Sequence, residues 1–367
     1  MINLTQVLFG ITYFISALFS LFLAIIPIIW SLIVSLISKD SDFVLGCIKC
    51  QTNPEYFFDK VIWITGPSSG IGKAIVLDLA RISLTYKKEI YLILSARNIE
   101  PLKSLKNHLI TEYQFSEENI QILLMDLSDL TQIDNKVTYA KNWKGKIDIL
   151  FNNAGLRQKS ILEDFESDYK ILSVNGLGCM KLAKKVLLKC FIPQKSGHLV
   201  NTNSIQGYVA LPGRCAYGAS KRACLGYFDS LKYELSSLNW QEYSKLYLKE
   251  NNNENLSIYD KPNIVITNLF PGYIQTDIDK RAIYISGKSI NLEYKKQKGL
   301  KSIRCSELII RAVSNRIEEA WIAKPPELIF MYLTYYSPSF SSLMMSFMAK
   351  SFTKQTWEIQ KLSMTNI

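Results

Sequence analysis

Between residues 61 and 82 the chain runs from Val61-Ile-Trp-Ile-Thr65, a short apolar and β-branched stretch, through Thr65-Gly66-Pro67-Ser68-Ser69-Gly70-Ile71-Gly72 into a helical pattern from Lys73 to Ile82. This order of strand, glycine turn and helix constrains the fold more than any other feature. Glycine is needed where the backbone bends sharply and where it must approach a bound group closely. A helix that starts directly after the turn offers free N–H groups at its positive end, where phosphate binds well. The glycine spacing is weak by itself and gains meaning from standing between a strand and a helix.

The same rhythm continues. Glu89–Ser95, Ile122–Met125, Ile147–Phe151, Leu199–Asn203 and Ile264–Leu269 read as further strands, with Trp321-Ile-Ala as a candidate seventh. Segments of helical periodicity such as Leu130–Trp143 and Leu172–Leu188 lie between them. Strands without strict alternation, separated by helices, imply a parallel sheet covered on both faces. The expected fold class is therefore α/β, a doubly wound parallel sheet of Rossmann type, preceded by an N-terminal transmembrane segment.

That segment is read from its lack of charge. Met1 to Ser38 carries no charged side chain, and Val7 to Ile37 is almost continuously apolar, longer than the ~20 residues a span needs. A cleaved signal peptide is disfavoured by the missing basic start and by the length of the run. Pro27 either kinks one tilted helix or turns a re-entrant hairpin. Lys39, Lys49 and Lys60 follow the stretch while no Lys or Arg precedes it, so positive-inside counting places the main domain on the cytoplasmic side. Asn255-Leu256-Ser257 is a glycosylation sequon that matters only for a lumenal domain, and sidedness stays open.

The expected organisation is an anchor at 1–38, a linker at 39–59, a catalytic domain at 60–325 with a polar insertion at 239–263, and an apolar C-terminal extension at 326–367. The aromatic stretch 324–350 has two readings, a helix packed on the domain or a second membrane-contacting surface. Pro338 and its polar residues argue against a second full span. The net charge of +11 is spread over scattered Lys and Arg without a dense basic run, which points to a solvated lysine-rich surface and not to nucleic acid. Seven cysteines, an odd number, do not suggest a disulfide framework. Cys47 and Cys50 form a lone C-x-x-C, and His108 and His198 lie too far along the chain to complete a zinc set. No metal is expected; juxtamembrane palmitoylation of these cysteines is a hypothesis only.

The end of the second strand selects the cofactor. An NAD site would present an acid there to the ribose 2′-hydroxyl. The chain has Ser95-Ala96-Arg97 instead, and Arg97 suits a 2′-phosphate, so NADP(H) is expected.

Asn152-Asn153-Ala154-Gly155 after the fourth strand, then Asn175, Ser204 and Tyr217-x-x-x-Lys221, complete an ordered set. With the T-G-x-x-x-G-x-G turn they resemble the short-chain dehydrogenase/reductase family over about residues 58–325. The physical chemistry agrees: Tyr217 and Lys221 are four residues apart and share a helix face, an ammonium beside a phenol favours tyrosinate, and Ser204 can stabilise a developing alkoxide. The resemblance implies that Tyr217 is the general acid/base, that Lys221 also holds the nicotinamide ribose, and that Asn175 supports a water relay to that lysine. It implies cofactor contacts from Gly66, Ser68, Ser69, Gly70, Ile71 and Gly72, from Asn153, Ala154 and Gly155 on the adenosine side, and from Asp126 with Leu127 at the adenine. Pro271-Gly272 and Thr276 resemble the segment that closes over the nicotinamide amide. Pro67 departs mildly from the small residue common in the turn.

A finer resemblance rests on the anchor, Leu94-Ser-Ala-Arg97, Arg304-Cys305 and Glu318-Glu-Ala-Trp321-Ile with its aromatic tail. These look like the membrane-anchored group of dehydrogenase/reductase family member 7 and its neighbours, the 11β-hydroxysteroid dehydrogenases; the polar insertion departs from that group. The expected function is NADPH-dependent reduction, or the reverse oxidation, of a lipophilic small molecule such as a steroid, retinoid or lipid-derived carbonyl at the endoplasmic reticulum membrane. Ile283, Tyr284 and Ile285 in a loop at about 276–300 would offer apolar contacts. The alternatives are a keto-sphingoid or 3-ketoacyl reductase and a non-catalytic NADP-binding membrane adaptor. Relatives pair through two long helices, here about 163–190 and 215–238, so a homodimer is an expectation.

Overall fold

The computed structural model describes residues 39–47, 51–162, 165–243, 261–276, 278, 282–285, 288–289 and 299–364, together with scattered positions before residue 34. The expected anchor at 1–38 lies mostly outside the described residues. Among the described residues no helix is long and apolar enough to cross a membrane. Those described within that stretch, such as Leu8, Ile15, Phe22 and Ile26, are helical and exposed. Cys50, residues 244–260 of the polar insertion and most of the loop 277–298 also lie outside the described residues.

Seven strands form one sheet: β1 Val61–Thr65, β2 Tyr91–Ala96, β3 Ile120–Leu124, β4 Ile149–Asn152, β5 Ser196–Thr202, β6 Asn263–Pro271 and β7 Glu319–Ile322. Their order is β7-β6-β5-β4-β1-β2-β3, and every neighbouring pair is parallel. The strand order reverses between β1 and β4, which opens a crevice at the carboxyl ends of the strands, the place where such sheets bind ligands.

Alternation along the strands supplies both cores. Ile62, Ile64, Leu92 and Leu94 face one side, packed with Ile75 and Leu79 of helix α1 (Gly70–Tyr86), Leu105 of α2 (Ile99–Tyr113) and Leu308 of α7 (Ser302–Ser314). Val61, Trp63 and Ile93 face the other, against Val137 of α3 (Ile133–Lys144), Leu182 of α5 (Cys179–Val186) and Phe228 of α6 (Cys215–Ser237). Successive strand residues point to opposite faces, so one run serves two layers. A short helix α4 (Phe165–Leu172) precedes α5, and a π-helical turn at Ser173–Gly178 joins them.

The C-terminal stretch folds as α8 (Glu327–Tyr336) and α9 (Pro338–Met364). Proline suits a first helical position, where its missing N–H has no partner to lose. Leu328, Met331 and Tyr332 of α8 pack with Phe270 and Trp321, as the packed-helix reading expects. The surface of α9 leaves Leu343 and Phe347 exposed. Its far end returns to the domain: Gln360 Oε1 accepts the Ile161 N–H at 2.8 Å. Residues 39–47 are also bonded to the sheet edge. Asp42 accepts the Trp321 N–H at 2.6 Å, and its own N–H donates to the Trp321 carbonyl at 2.8 Å.

Candidate active site

A cleft of about 480 Å³ opens over the β1–β4 crossover. Its floor is the glycine turn. Gly66 and Gly70 have φ of +69° and +59°, a region that β-carbons disfavour. A Cβ on Gly70 would meet Thr276 Cγ2 at 3.2 Å, so this turn and the segment after β6 close on each other. A Cβ on Gly72 would overlap the Gly66 carbonyl and approach Asn153 Nδ2 to 2.6 Å. Gly72 therefore acts through helix–strand packing and lies behind the cleft wall, whereas Gly66, Ser68, Ser69, Gly70 and Ile71 line it.

Thr65 ties the turn to the end of β4. Its Oγ1 accepts the N–H groups of Asn153 and Ala154, both at 2.9 Å, and its carbonyl accepts from Asn153 Nδ2 at 3.0 Å. The Asn153 amide is thus spent on the scaffold, while Asn153, Ala154 and Gly155 all border the cleft. Arg97 stands exposed at the rim beyond β2. Asp126 and Leu127 also line it, with Asp126 Oδ1 accepting from the N–H and hydroxyl of Ser128 at 2.9 and 2.7 Å.

The other half of the cleft gathers Ser204, Tyr217 and Lys221 with Pro271, Gly272 and Thr276. Ser204 caps the short 3-10 turn Ile205–Gly207, its Oγ accepting the Gln206 N–H at 3.2 Å. An accepting hydroxyl keeps its own O–H to donate. Lys221 is buried, and its Nζ donates to the Thr202 carbonyl at 2.8 Å while standing 5.9 Å from the centre of the Tyr217 ring. The ammonium is therefore held against β5, on the side of the Tyr217 ring. Its own carbonyl accepts from Asn203 Nδ2 at 3.1 Å, which links β5 to α6.

Asn175 lies beside the segment that follows Gly155. It is buried in the π-helical turn and does not line the cleft. Its Oδ1 accepts the Leu156 N–H at 2.7 Å and its Nδ2 donates to the Leu156 carbonyl at 2.8 Å, while its main-chain carbonyl accepts from Cys224 Sγ at 3.1 Å. Its side chain splints the irregular segment following Gly155.

Several site residues carry no sequence signal. Gln158 Oε1 accepts the N–H groups of Ala216 and Tyr217 at 2.9 and 3.3 Å, and its Nε2 donates to Asp168 at 2.7 Å. It caps α6 and fixes the start of the helix that carries Tyr217. Arg157, Arg214 and Tyr273 border the same region. Arg214 Nη2 donates to Tyr273 Oη at 2.6 Å. The Tyr273 N–H donates to Glu327 Oε2 at 2.9 Å, and burial raises the Glu327 carboxyl above its usual range.

Residues 60–239 match the family model described as short chain dehydrogenase. Dehydrogenase/reductase SDR family member 7 of Homo sapiens is 30% identical over 309 residues, covering 82% of this chain and 82% of its own length. An alcohol dehydrogenase from the archaeon Thermococcus sibiricus, complexed with 5-hydroxy-NADP, superposes with a TM-score of 0.52 at 22% identity, over 72% of this chain and 97% of that one. A short-chain dehydrogenase/reductase from Burkholderia phymatum in complex with NAD gives 0.55 at 20% identity, over 72% and 89%. At these identities the structural likeness shows the fold alone.

Proposed function

The chain belongs to the short-chain dehydrogenase/reductase family and is an NAD(P)-dependent oxidoreductase acting on CH–OH groups; from that premise we propose that it reduces a lipophilic carbonyl with NADPH, using Tyr217 as the general acid. The observation that carries this reading is the convergence of Ser204, Tyr217 and Lys221 with the glycine turn on one cleft.

The residues present fit a dinucleotide. Glycines at 66 and 70 leave the turn open to close approach, and the first turn of α1 presents free N–H groups there. Arg97 supports the phosphorylated cofactor, because a guanidinium pairs well with phosphate. A bound nicotinamide dinucleotide would supply or take up the hydride. The Ser204 hydroxyl donates to the carbonyl oxygen, and Tyr217 delivers the proton to that oxygen as it becomes an alkoxide. Lys221, held by the Thr202 carbonyl, keeps a positive charge beside the phenol through the transfer. Asn175 and Gln158 act at one remove, by setting the segment at Leu156 and the start of α6.

The charge-free stretch 1–38 supports membrane attachment, read as the endoplasmic reticulum, and so a lipophilic substrate. The exposed Phe165, Tyr169 and Leu177 support pairing of two copies. Purified full-length protein should oxidise NADPH with a panel of steroid, retinoid and aliphatic carbonyls. Tyr217→Phe should lower kcat by about 10²–10⁴-fold with NADPH binding retained. Undiminished turnover in that variant would remove Tyr217 from the mechanism.

A further inference from the structure

We propose that Glu327, at the start of α8, is a positioning residue for the nicotinamide half of the dinucleotide: its carboxylate sets the main chain at Tyr273 and, with it, the segment that closes this end of the cleft. The inference rests on the reductase reading above and deepens it, because it gives the C-terminal extension a part in the site. The residues matched by the family model end at 239, so the carboxylate and the segment it holds both lie beyond them.

The segment is fixed donor by donor. β6 ends at Pro271, which stands in register with Ile322, the last residue of β7. Gly272 still belongs to that ladder, its N–H donating to the Ile322 carbonyl at 2.9 Å. The next N–H, that of Tyr273, lies past the end of β7 and donates instead to Glu327 Oε2 at 2.9 Å, across 54 residues of sequence. The Tyr273 carbonyl then accepts the Leu300 N–H at 2.9 Å, and Ile274 and Gln275 pair with Leu300 and Lys301. A carboxylate thus carries the bonding of the main chain across the gap between two sheets, and an ionised acceptor holds an N–H more strongly than a neutral one.

Gly272 shows how closely the acid is set. A Cβ there would overlap Glu327 Oε2 and approach the Ala323 Cβ to 2.8 Å, so the absence of a side chain lets the carboxylate lie against the main chain. An acid in the first turn of a helix is favourable by itself, but that role asks for no contact outside α8. Glu327 makes one, to a residue that lines the cleft.

The segment reaches both halves of the site. Thr276 stands against the cofactor turn, where a Cβ on Gly70 would meet its Cγ2 at 3.2 Å. The Tyr273 hydroxyl accepts from Arg214 Nη2 at 2.6 Å, and Arg214 directly precedes α6, whose third residue is Tyr217. One main-chain bond therefore positions the strip that faces the glycine turn and a contact at the start of the helix that bears the acid/base.

The test uses full-length protein and titrates two probes of the same cleft: NADPH, and adenosine 2′,5′-bisphosphate, which lacks the nicotinamide half. Glu327→Ala should weaken NADPH by about tenfold, about 1.4 kcal/mol, and leave the bisphosphate within about twofold. The kcat for carbonyl reduction should fall in the same variant. Glu327→Gln keeps an acceptor oxygen on a side chain of the same size and should recover part of both affinity and rate. It reads the same split if the alanine variant does not fold: a smaller loss, confined to NADPH. Equal losses for the two probes overturn the proposal, because they mark a general effect on the scaffold. Unchanged NADPH affinity in Glu327→Ala overturns it as well. A selective loss of NADPH in a protein that turns over no carbonyl would uphold the positioning role and sink the reductase reading.

Discussion

Replacing Gly72 by alanine separates the scaffold of the cofactor turn from its lining. The added methyl would overlap the Gly66 carbonyl and press on Asn153 Nδ2 at 2.6 Å and Gly66 C at 3.0 Å. The first and last of these are backbone atoms of the turn, so no side-chain rotation relieves them. Overpacking of this kind costs about 1–3 kcal/mol, and displacing Asn153 weakens its bond to the Thr65 carbonyl, worth about 1 kcal/mol. Alanine returns up to about 1 kcal/mol of helix propensity, leaving a net loss of about 1–3 kcal/mol. For a domain of this size that is a fall in Tm of roughly 2–12 °C, with NADPH affinity reduced because Gly66 must move. Gly226→Ala is the matched control: it lies in α6, exposed, with nothing within 4 Å of the new methyl, and should be neutral or stabilising by up to about 1 kcal/mol. Thermal melts and fluorescence titration with NADPH read both quantities. If Gly72→Ala melts with the unsubstituted protein and binds NADPH unchanged, the packing argument is wrong.

Arg97→Ala should weaken NADPH by at least about tenfold and leave NADH little affected, from loss of charge-assisted bonds to the 2′-phosphate; equal losses for both cofactors would remove Arg97 from selection. Gln158→Ala deprives Ala216 and Tyr217 of their N–H acceptor and should cost about 1–2 kcal/mol of stability, with kcat falling more than KM rises; the ratio of those two effects is the measurement. His198 is fully buried, and burial pushes it down to about 3. Between that value and the unfolded value of about 6.5, the unfolded chain binds the extra proton, so its contribution to stability is complete above about pH 6.5 and is lost as pH falls, by up to about 1.4 kcal/mol per pH unit. An NMR titration of the folded protein should find the His198 imidazole neutral at pH 5, and a charged ring there would refute this.

The parts legible in the sequence are those encoded locally. Val61–Thr65 is a strand with the expected bounds, because an apolar β-branched run followed by glycine has few alternatives. Tyr217 and Lys221 fall within one helix, Cys215–Ser237, as their four-residue spacing requires. The candidate seventh strand is present as Glu319–Ile322, at the sheet edge. What escaped depends on distant partners or on irregular backbone. The amide of Asn175 bonds to Leu156 from within a π-helical turn, and no residue pattern announces such a turn. Gln158, Arg157 and Arg214 become site residues only because two loops, before α4 and before α6, meet at Tyr273 and the start of α6. The end of α9 reaches Ile161 across 199 residues of sequence, a contact invisible to any local window.

The clasp between Asp42 and Trp321 joins positions 279 residues apart. During synthesis the acid emerges early and waits, since its strand is made only near the end of the chain. Closing so long a loop follows assembly of the sheet that presents Trp321. Once closed, it removes slack. Asp42 bonds to Trp321 and Asp40 pairs with Arg304, so this stretch is fastened at two points, to the edge of the sheet and to α7. The position of residues 40–47 on the sheet edge is thereby written into two hydrogen bonds between Asp42 and Trp321, one on the carboxylate and one from the main-chain N–H.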